Sequence, residues 1–311
     1  MLYDEMTNSW GTELVVLPSY RKDRGDINRL RELVKNTIAG FALYGVYVSG
    51  TDANRTAVEL ATKSDAGSLL VCLGAYGGGK EIMQELSTSD QTPTATLAFP
   101  HRFDREGMTT RCREQSMTLP YWIECKEMTS TERRQHEDKF LAAVHRKLLF
   151  RLLKGNPVRA ALIELILGGN GGELSSRFLI QLGNLLSNFG VVAIMDECLT
   201  GGRVGPNVTL TQDLLLEFRS CVLFVTMAKF MGRGLLLVNA GYKNSNVYFN
   251  HVRQRGLSTN IDVSKVCAKF ARVNELQLEG AIHIRQEQIK KEFDVNDHEL
   301  WGRGLLIFVS K

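Results

Sequence analysis

Two residues of opposite charge follow apolar runs that are typical of buried strands. Asp196 ends the run GVVAIMD at 190–196, and Lys229 comes three residues after the run SCVLFVT at 220–226. A carboxylate at the end of an apolar strand is costly unless a cation or a hydrogen-bond donor satisfies it. A lysine there either extends its aliphatic stem to solvent or serves as a nucleophilic amine. The two positions are therefore candidates for chemistry.

Two glycine-bearing turns follow other strand-like runs. Gly50 permits a tight turn, and Thr51 can cap a helix whose free N–H groups would form an anion site. Tyr76 lies in the loop AYGGGK and offers a flat ring. A plain helix cap and a flexible loop are the simpler interpretations of each turn alone. In chain order, however, an anion site, a stacking ring, a carboxylate and a lysine are the parts needed to hold pyridoxal phosphate.

The elements that must position these residues alternate between strands and helices. Nearly all-apolar runs predict strands that are buried on both faces, as in a parallel or mixed sheet covered by helices. Ligands of such sheets bind at the carboxyl ends of strands. The predicted strands cover 44–49, 68–73, 94–99, 119–124, 159–165, 190–196, 220–226 and 234–240, and the predicted helices cover 27–40, 52–63, 131–154, 174–188 and 263–292.

The helix predicted over 131–154 is amphipathic and basic. Apolar residues recur every four positions along one stripe, and lysines and arginines crowd the other face. A solvated surface is the simplest interpretation of the basic face. A nucleic-acid contact is the less favoured one, because no aromatic residues alternate with the charges. The stripe consists of Phe140, Val144, Leu148 and Leu152.

Composition sets broad limits on the class of protein. The 311 residues, 44% of them hydrophobic, suffice for one large domain or for a large and a small one. The net charge of +4 is compatible with an anionic cofactor or substrate without requiring one. The sequence has no apolar run of membrane-spanning length and no signal core, so a cytoplasmic protein is expected. Six scattered cysteines without CxxC spacing predict reduced thiols and no structural metal.

Seven segments in series resemble the class III (ornithine/acetylornithine/GABA-type) aminotransferases, which are fold-type I pyridoxal-phosphate-dependent enzymes. Each motif is loose by itself, but their common order over residues 44–308 is specific. The segments are SGTDAN at 49–54, AYGGG at 75–79, AALIELILGGNGG at 160–172, MDECLTGGRVG at 195–205, VTMAKFMGRGLLL at 225–237, LSTNIDVSKVCA at 257–268 and LWGRGLLI at 300–307.

The resemblance implies an α/β fold, the large domain of a fold-type I transferase, with a mostly parallel seven-stranded sheet between helices. It implies that Lys229 forms the Schiff base with the cofactor. It also implies that Asp196 pairs with the pyridinium nitrogen, so that the ring acts as an electron sink. Gly50 and Thr51 match the phosphate-binding turn.

Two further matches concern the cofactor ring and the subunit interface. Tyr76 matches the aromatic residue that stacks on the ring. Thr259 matches the threonine that reaches the phosphate of the neighbouring subunit, which implies a homodimer with shared active sites.

The sequence also departs from the family pattern. Gly77 replaces a histidine, Phe230 replaces a small residue after the lysine, and Leu236 replaces a proline. Compared with the family, we expect an abbreviated N-terminal segment at 1–43, a cofactor-binding large domain at 44–262, and at 263–311 a long helix and the start of a truncated C-terminal domain. The C-terminal small domain, which in the family supplies the arginine for the substrate carboxylate, would then be largely missing.

Three functions remain open on the sequence alone. The first is an aminotransferase-like enzyme that acts on a small amine or amino acid. The second keeps the cofactor but decarboxylates, or performs other α-carbon chemistry, on an amino acid linked to a nucleotide or nucleic acid. The third is a catalytically degenerate structural or assembly subunit, which the departures favour and the retained Lys229 and Asp196 disfavour.

Overall fold

The computed structural model describes residues 24–62, 69–73, 95–98, 128–166, 172–204, 207–214, 221–242, 263–275, 284, 287–289, 291, 300–303 and 306–309. The helices are α1 (Arg24–Thr37), α2 (Gly50–Thr62), α3 (Ser130–Leu153), α4 (Ser176–Asn188) and α5 (Val263–Glu275). The strands are β1 (Phe41–Tyr47), β2 (Leu69–Leu73), β3 (Ala95–Ala98), β4 (Val158–Ile163), β5 (Val192–Glu197), β6 (Val222–Met227), β7 (Gly234–Asn239), β8 (Leu300–Arg303) and β9 (Leu306–Val309).

Strands β1 to β7 form one sheet in the order β1-β7-β6-β5-β4-β2-β3. Strand β7 is antiparallel to both of its neighbours, β1 and β6. The remaining pairs, from β6 across to β3, are parallel. The mostly parallel seven-stranded sheet predicted from the sequence is therefore confirmed. Strands β8 and β9 form a separate antiparallel hairpin.

The sheet buries apolar side chains on both faces, as its continuous apolar strands predict. Every residue of β5 and β6 is buried. On one face, α2 packs across the sheet against strands from β1 to β2. On the opposite face, residues of α1, α3, α4 and α5 join a second and larger core. The carboxyl ends of the parallel strands therefore open between these two helical layers.

Helix α2 packs closely on the sheet because its inner face is made of small residues. Ala53, Ala57 and Ala61 recur every four positions and are buried, together with Val58. Asn54 is the polar exception on this buried face and is 1% exposed. Such an amide must find hydrogen-bond partners within the protein.

Helix α3 confirms most of its predicted stripe. Phe140, Val144 and Leu148 are buried, but Leu152 is 49% exposed, so its inclusion was wrong. A spacing of four residues advances about 40° beyond each full turn of a helix with 3.6 residues per turn. Leu152 is therefore rotated by about 120° from Phe140, which takes it off the sheet.

Several boundaries differ from the prediction. Helix α2 begins at Gly50 rather than at residue 52, and β5 continues to Glu197, so Asp196 lies inside a strand. The predicted strand at 119–124 lies outside the described residues. Helix α5, which follows the predicted boundary at residue 262, packs against α1. The three-part division of the chain stays a prediction. Within the described ranges, no helix is both long and apolar enough to cross a membrane.

Candidate active site

The amino end of α2 lies against the segments that follow β5 and β6. A Cβ atom on Gly50 would lie 2.6 Å from Cys198 Sγ and 2.8 Å from Ala228 Cβ. A Cβ atom on Gly234, the first residue of β7, would overlap the carbonyl oxygen of Ser49. Both positions therefore require glycine for close approach. Four elements meet at this corner of the sheet.

Ser49 caps α2 at this corner. Its Oγ accepts a hydrogen bond from the Asp52 backbone N–H at 3.2 Å and donates to Asp52 Oδ2 at 2.7 Å. Helix geometry leaves the N–H groups of Gly50 and Thr51 without acceptors inside the helix. These groups and the helix dipole favour an anion at the turn. The sequence predicted Thr51 as the helix cap, but Ser49 takes that place, and Gly50 and Thr51 lie in the first turn of the helix. Their role in binding phosphate stays a prediction.

Asp196 lies on the face of β5 that is turned toward α2. Its Oδ2 accepts a hydrogen bond from Asn54 Nδ2 at 2.8 Å, and its Oδ1 accepts one from the Cys198 backbone N–H at 3.0 Å. The side chain is buried, and this burial raises the pKa of the carboxyl group. The hydrogen bonds from Cys198 and Asn54 and the positive charge of Lys229 oppose that rise.

Asn54 and Thr226 extend the network around Asp196. Thr226 Oγ1 donates to Asn54 Oδ1 at 2.6 Å, and Cys198 Sγ lies 3.6 Å from Thr226 Oγ1. Thr226 is also the register partner of Asp196 on the adjacent strand. Sequence reasoning missed both residues. The available signal was an amide at a helical position that otherwise carries small apolar neighbours.

Lys229 does not end a strand, because β6 stops at Met227. It lies in the turn that follows, its side chain is exposed, and its backbone N–H donates to the Cys198 carbonyl at 2.9 Å. The turn thereby places Lys229 beside the turn that follows β5, close enough for its charge to act on the Asp196 carboxylate. The sheet does not have to bury the lysine charge.

Phe230, which follows the lysine, packs on a second turn. Gly202 has a φ of 73°, and a Cβ atom there would lie 2.6 Å from the Phe230 ring. The carbonyl of Phe230 accepts a hydrogen bond from Lys269 Nζ at 3.0 Å. A bulky side chain after Lys229 is thus accommodated by a glycine in the left-handed region.

Glu197, the neighbour of Asp196, faces the opposite side of the sheet. Its carboxylate accepts hydrogen bonds from the backbone N–H groups of Leu210 at 2.7 Å and Thr211 at 2.8 Å. Thr211 Oγ1 donates a third at 2.5 Å. These groups belong to the short 3₁₀ helix Leu210–Asp213. Glu197 therefore anchors the segment that follows β5.

Two predicted site residues, Tyr76 and Thr259, lie outside the described residues, as does Gly77. Ring stacking by Tyr76 and the contact of Thr259 with a neighbouring subunit stay predictions. Leu236 is fully buried within β7. Within the part of the chain that the structure describes, no three histidine, cysteine or acidic side chains cluster as metal ligands.

No family model and no curated protein sequence matches the chain. The taurine:2-oxoglutarate aminotransferase from Bifidobacterium kashiwanohense, solved in complex with PLP and glutamate, superposes with a TM-score of 0.63 at 19% identity, covering 99% of this chain and 69% of its own. The fold is that of the pyridoxal-phosphate-dependent aminotransferases.

Two other solved structures agree. An (S)-enantioselective omega-transaminase from Thermomicrobium roseum gives a TM-score of 0.59 at 15% identity, covering 99% of this chain and 69% of that one. A lysine aminotransferase from M. tuberculosis gives 0.62 at 12% identity, covering 91% of this chain and 66% of that one. The chain thus spans about 70% of the length of these structures. At such low identity the similarity concerns the fold, and it confirms the fold expected from the sequence motifs.

Proposed function

We propose that the protein is a pyridoxal-phosphate-dependent enzyme of the aminotransferase type, acting on an amino group through Lys229. The observation that carries the proposal is the placement of Lys229 beside the turn that follows a buried carboxylate, Asp196, at the carboxyl ends of adjacent parallel strands. There the charge of Lys229 acts on that carboxylate. The capped start of α2 packs against the same two loops. The aminotransferase fold supports this interpretation.

The residues present fit three of the polar groups of pyridoxal phosphate: the ring nitrogen, the aldehyde and the phosphate. Asp196 would hold the ring nitrogen, Lys229 Nζ would bond covalently to the aldehyde carbon, and the N–H groups of Gly50 and Thr51 would bind the phosphate. When bound, the cofactor withdraws electrons from the substrate carbon next to the amino group.

The chain itself contributes a set of contacts that govern the charge of Asp196, and a base, Lys229. Asp196 can keep a ring nitrogen protonated only while its carboxylate is ionised, and burial works against ionisation by raising its pKa. Asn54 and the Cys198 N–H offset that effect by donating to the carboxylate. Lys229 Nζ is exposed at the edge of the sheet, so it is accessible to a substrate as a proton acceptor and donor.

We also propose that the substrate is a small amine or amino acid and that the enzyme is a homodimer in which Thr259 reaches the neighbouring phosphate. Support comes from fold neighbours named for taurine and lysine. No observation favours a nucleotide-linked substrate. Decarboxylation and a degenerate subunit become outcomes of the tests below.

The decisive experiment is an absorption spectrum of the purified protein incubated with pyridoxal phosphate. The wild type should show a band near the visible edge, and borohydride should remove that band and leave the cofactor on the Lys229 peptide in mass spectrometry. Lys229→Ala and the charge-preserving Lys229→Arg should both lack the covalent bond. Lys139→Ala, a change of an exposed lysine on α3, should behave as the wild type. Absence of the band from every form would support a degenerate subunit.

A second experiment separates the reactions. Taurine and lysine, offered without an amino acceptor, should convert the band to that of the aminated cofactor if the protein transaminates. Release of carbon dioxide from lysine without that conversion would favour decarboxylation. If neither the conversion of the band nor the release of carbon dioxide occurs, taurine and lysine are not substrates. That outcome says nothing against binding of the cofactor.

A further inference from the structure

We propose that Thr226 and Asn54 are positioning residues that set the orientation and the ionised state of the Asp196 carboxylate. This inference rests on the proposed function, because it assigns these residues to the handling of the cofactor ring nitrogen. Neither residue touches the reacting atoms; both act through Asp196. They belong to β6 and α2, which the fold brings together on one face of the sheet.

The side-chain hydrogen bonds around Asp196 form a chain in which each group donates to the next. The Cys198 thiol donates to Thr226 Oγ1, the Thr226 hydroxyl donates to Asn54 Oδ1, and Asn54 Nδ2 donates to Asp196 Oδ2. Hydrogen bonds that run in one direction polarise one another, so each strengthens the next. The Cys198 backbone N–H donates to the other carboxylate oxygen of Asp196, Oδ1.

Thr226 selects the orientation of the Asn54 amide. Its single hydroxyl proton lies toward Asn54 Oδ1 at 2.6 Å, while the Met195 carbonyl is 3.4 Å away. The reversed amide would turn Asn54 Oδ1 toward the carboxylate of Asp196, placing two acceptors against each other. Loss of the hydroxyl would remove one of the two contacts that favour the observed orientation and would leave Asn54 Oδ1 without this donor.

Strand β6 carries Thr226 and leads directly into the turn that holds Lys229, so one segment positions both the Lys229 amine and the hydroxyl that donates to Asn54. Thr226 lies opposite Asp196 in the sheet register and only three residues before Lys229. The charged and titratable groups that act around the carboxylate are Lys229 itself, the Cys198 thiol and, through that thiol, Glu164 at the end of β4. Asn54 is, in addition, a neutral donor to Asp196, so its side chain can be altered without removing a charge.

The test combines a measurement on the protein without cofactor and a measurement of cofactor binding. In protein labelled with ¹³C-aspartate, the Asp196 carboxyl signal, assigned by its loss in Asp196→Asn, reports the pKa directly. Asn54→Leu and Thr226→Val should raise this pKa further, because each weakens hydrogen bonding to the ionised form. Thr226→Ser retains the hydroxyl and should match the wild type.

Cofactor affinity should follow the same order. The dissociation constant for pyridoxal phosphate should rise about tenfold in Asn54→Leu and about threefold in Thr226→Val, with Thr226→Ser within about twofold of the wild type. A general loss of packing would not be rescued by serine, which lacks the methyl group of threonine. If Asn54→Leu fails to fold, the valine and serine variants carry the comparison.

The outcomes distinguish the two proposals. A carboxyl pKa that is unchanged in both Asn54→Leu and Thr226→Val overturns the positioning role, whatever the protein binds. A raised pKa in protein that fails to bind pyridoxal phosphate even as wild type supports the control of Asp196 by these residues and overturns the proposed function. A raised pKa together with the graded loss of affinity supports both.

Discussion

Asp196 and Glu197 are consecutive buried acids on one strand, yet they face opposite sides of the sheet and are satisfied differently. Glu197 accepts three hydrogen bonds from Leu210 and Thr211, two of them from backbone N–H groups. Asp196 accepts one from the Cys198 backbone N–H, just after β5, and one from Asn54, which is 142 residues distant in the sequence, and the charge of Lys229 acts on it.

The difference separates a structural acid from one suited to chemistry. Donors of a single short segment, two of them backbone N–H groups, hold the carboxylate of Glu197 in position. The donors to Asp196 come from separate elements, and one of them is a side chain whose orientation depends on Thr226. Burial costs are met in both cases, but the hydrogen bonding of Asp196 depends on side chains from two other elements, α2 and β6.

The largest effect should follow removal of the structural acid. Glu197→Ala should destabilise the protein by about 3 kcal/mol in urea unfolding, because it leaves three buried donors without their acceptor. Asp138→Ala, which breaks an exposed ion pair with Arg177, should cost less than about 1 kcal/mol. The comparison breaks down if the folded Glu197 variant also loses affinity for pyridoxal phosphate.

A smaller effect is expected at the corner where α2 begins. Alanine usually stabilises a helix relative to glycine, but Gly50→Ala should cost about 2 kcal/mol because its Cβ meets Cys198 and Ala228. Unfolding in urea measures this cost, and adding Cys198→Ala should recover part of it. Stabilisation by Gly50→Ala alone would show that the corner can relax and would weaken its role in placing the phosphate turn.

The two threonines offer a matched pair across the sheet. Thr211→Val removes one donor from Glu197 and should cost about 1 kcal/mol of stability without altering cofactor affinity. Thr226→Val makes the same chemical change on the other face and should lower affinity as well. Equal effects of the two variants on pyridoxal phosphate binding, measured by fluorescence titration, would erase the distinction between the faces.

Asp196→Asn should change the free energy of unfolding least at any single pH. Its effect should instead appear in how that free energy depends on pH. The folded protein without cofactor holds the Asp196 proton more tightly than the unfolded chain does, because burial raises the pKa above its ordinary value of 3.8. This contribution to stability is full below that value and is lost as the pH rises through the raised pKa.

Unfolding in urea at pH 5 and pH 8 tests the slope. The wild type should lose more stability than Asp196→Asn as the pH rises, since the variant lacks the group that titrates. All other ionisable groups are common to both proteins, so they cancel in the difference. A difference that is the same at both pH values would mean that Asp196 is not controlled by burial.

The sequence predicted the elements that continuous apolar patterns encode, and it singled out charged residues that follow such patterns. Apolar runs located β5 and β6 to within two residues, and the chemistry of Asp196 and Lys229 singled them out. The sequence did not predict contacts between distant positions. No local pattern around Asn54 indicates that its side chain will contact Asp196 and Thr226 after folding. Glu197 escaped for a similar reason, since its partners lie in a short 3₁₀ segment that has no periodicity.

The reversal of β7 has a consequence for motion. Because β7 runs antiparallel to β6, the chain returns to the sheet after only the six residues from 228 to 233, where a parallel neighbour would need a long crossover. Lys229 thus lies on a short hairpin connection that is pinned at its backbone by Cys198. Its amide hydrogen should exchange slowly with solvent although its side chain is exposed, so the amine reaches outward from a rigid base.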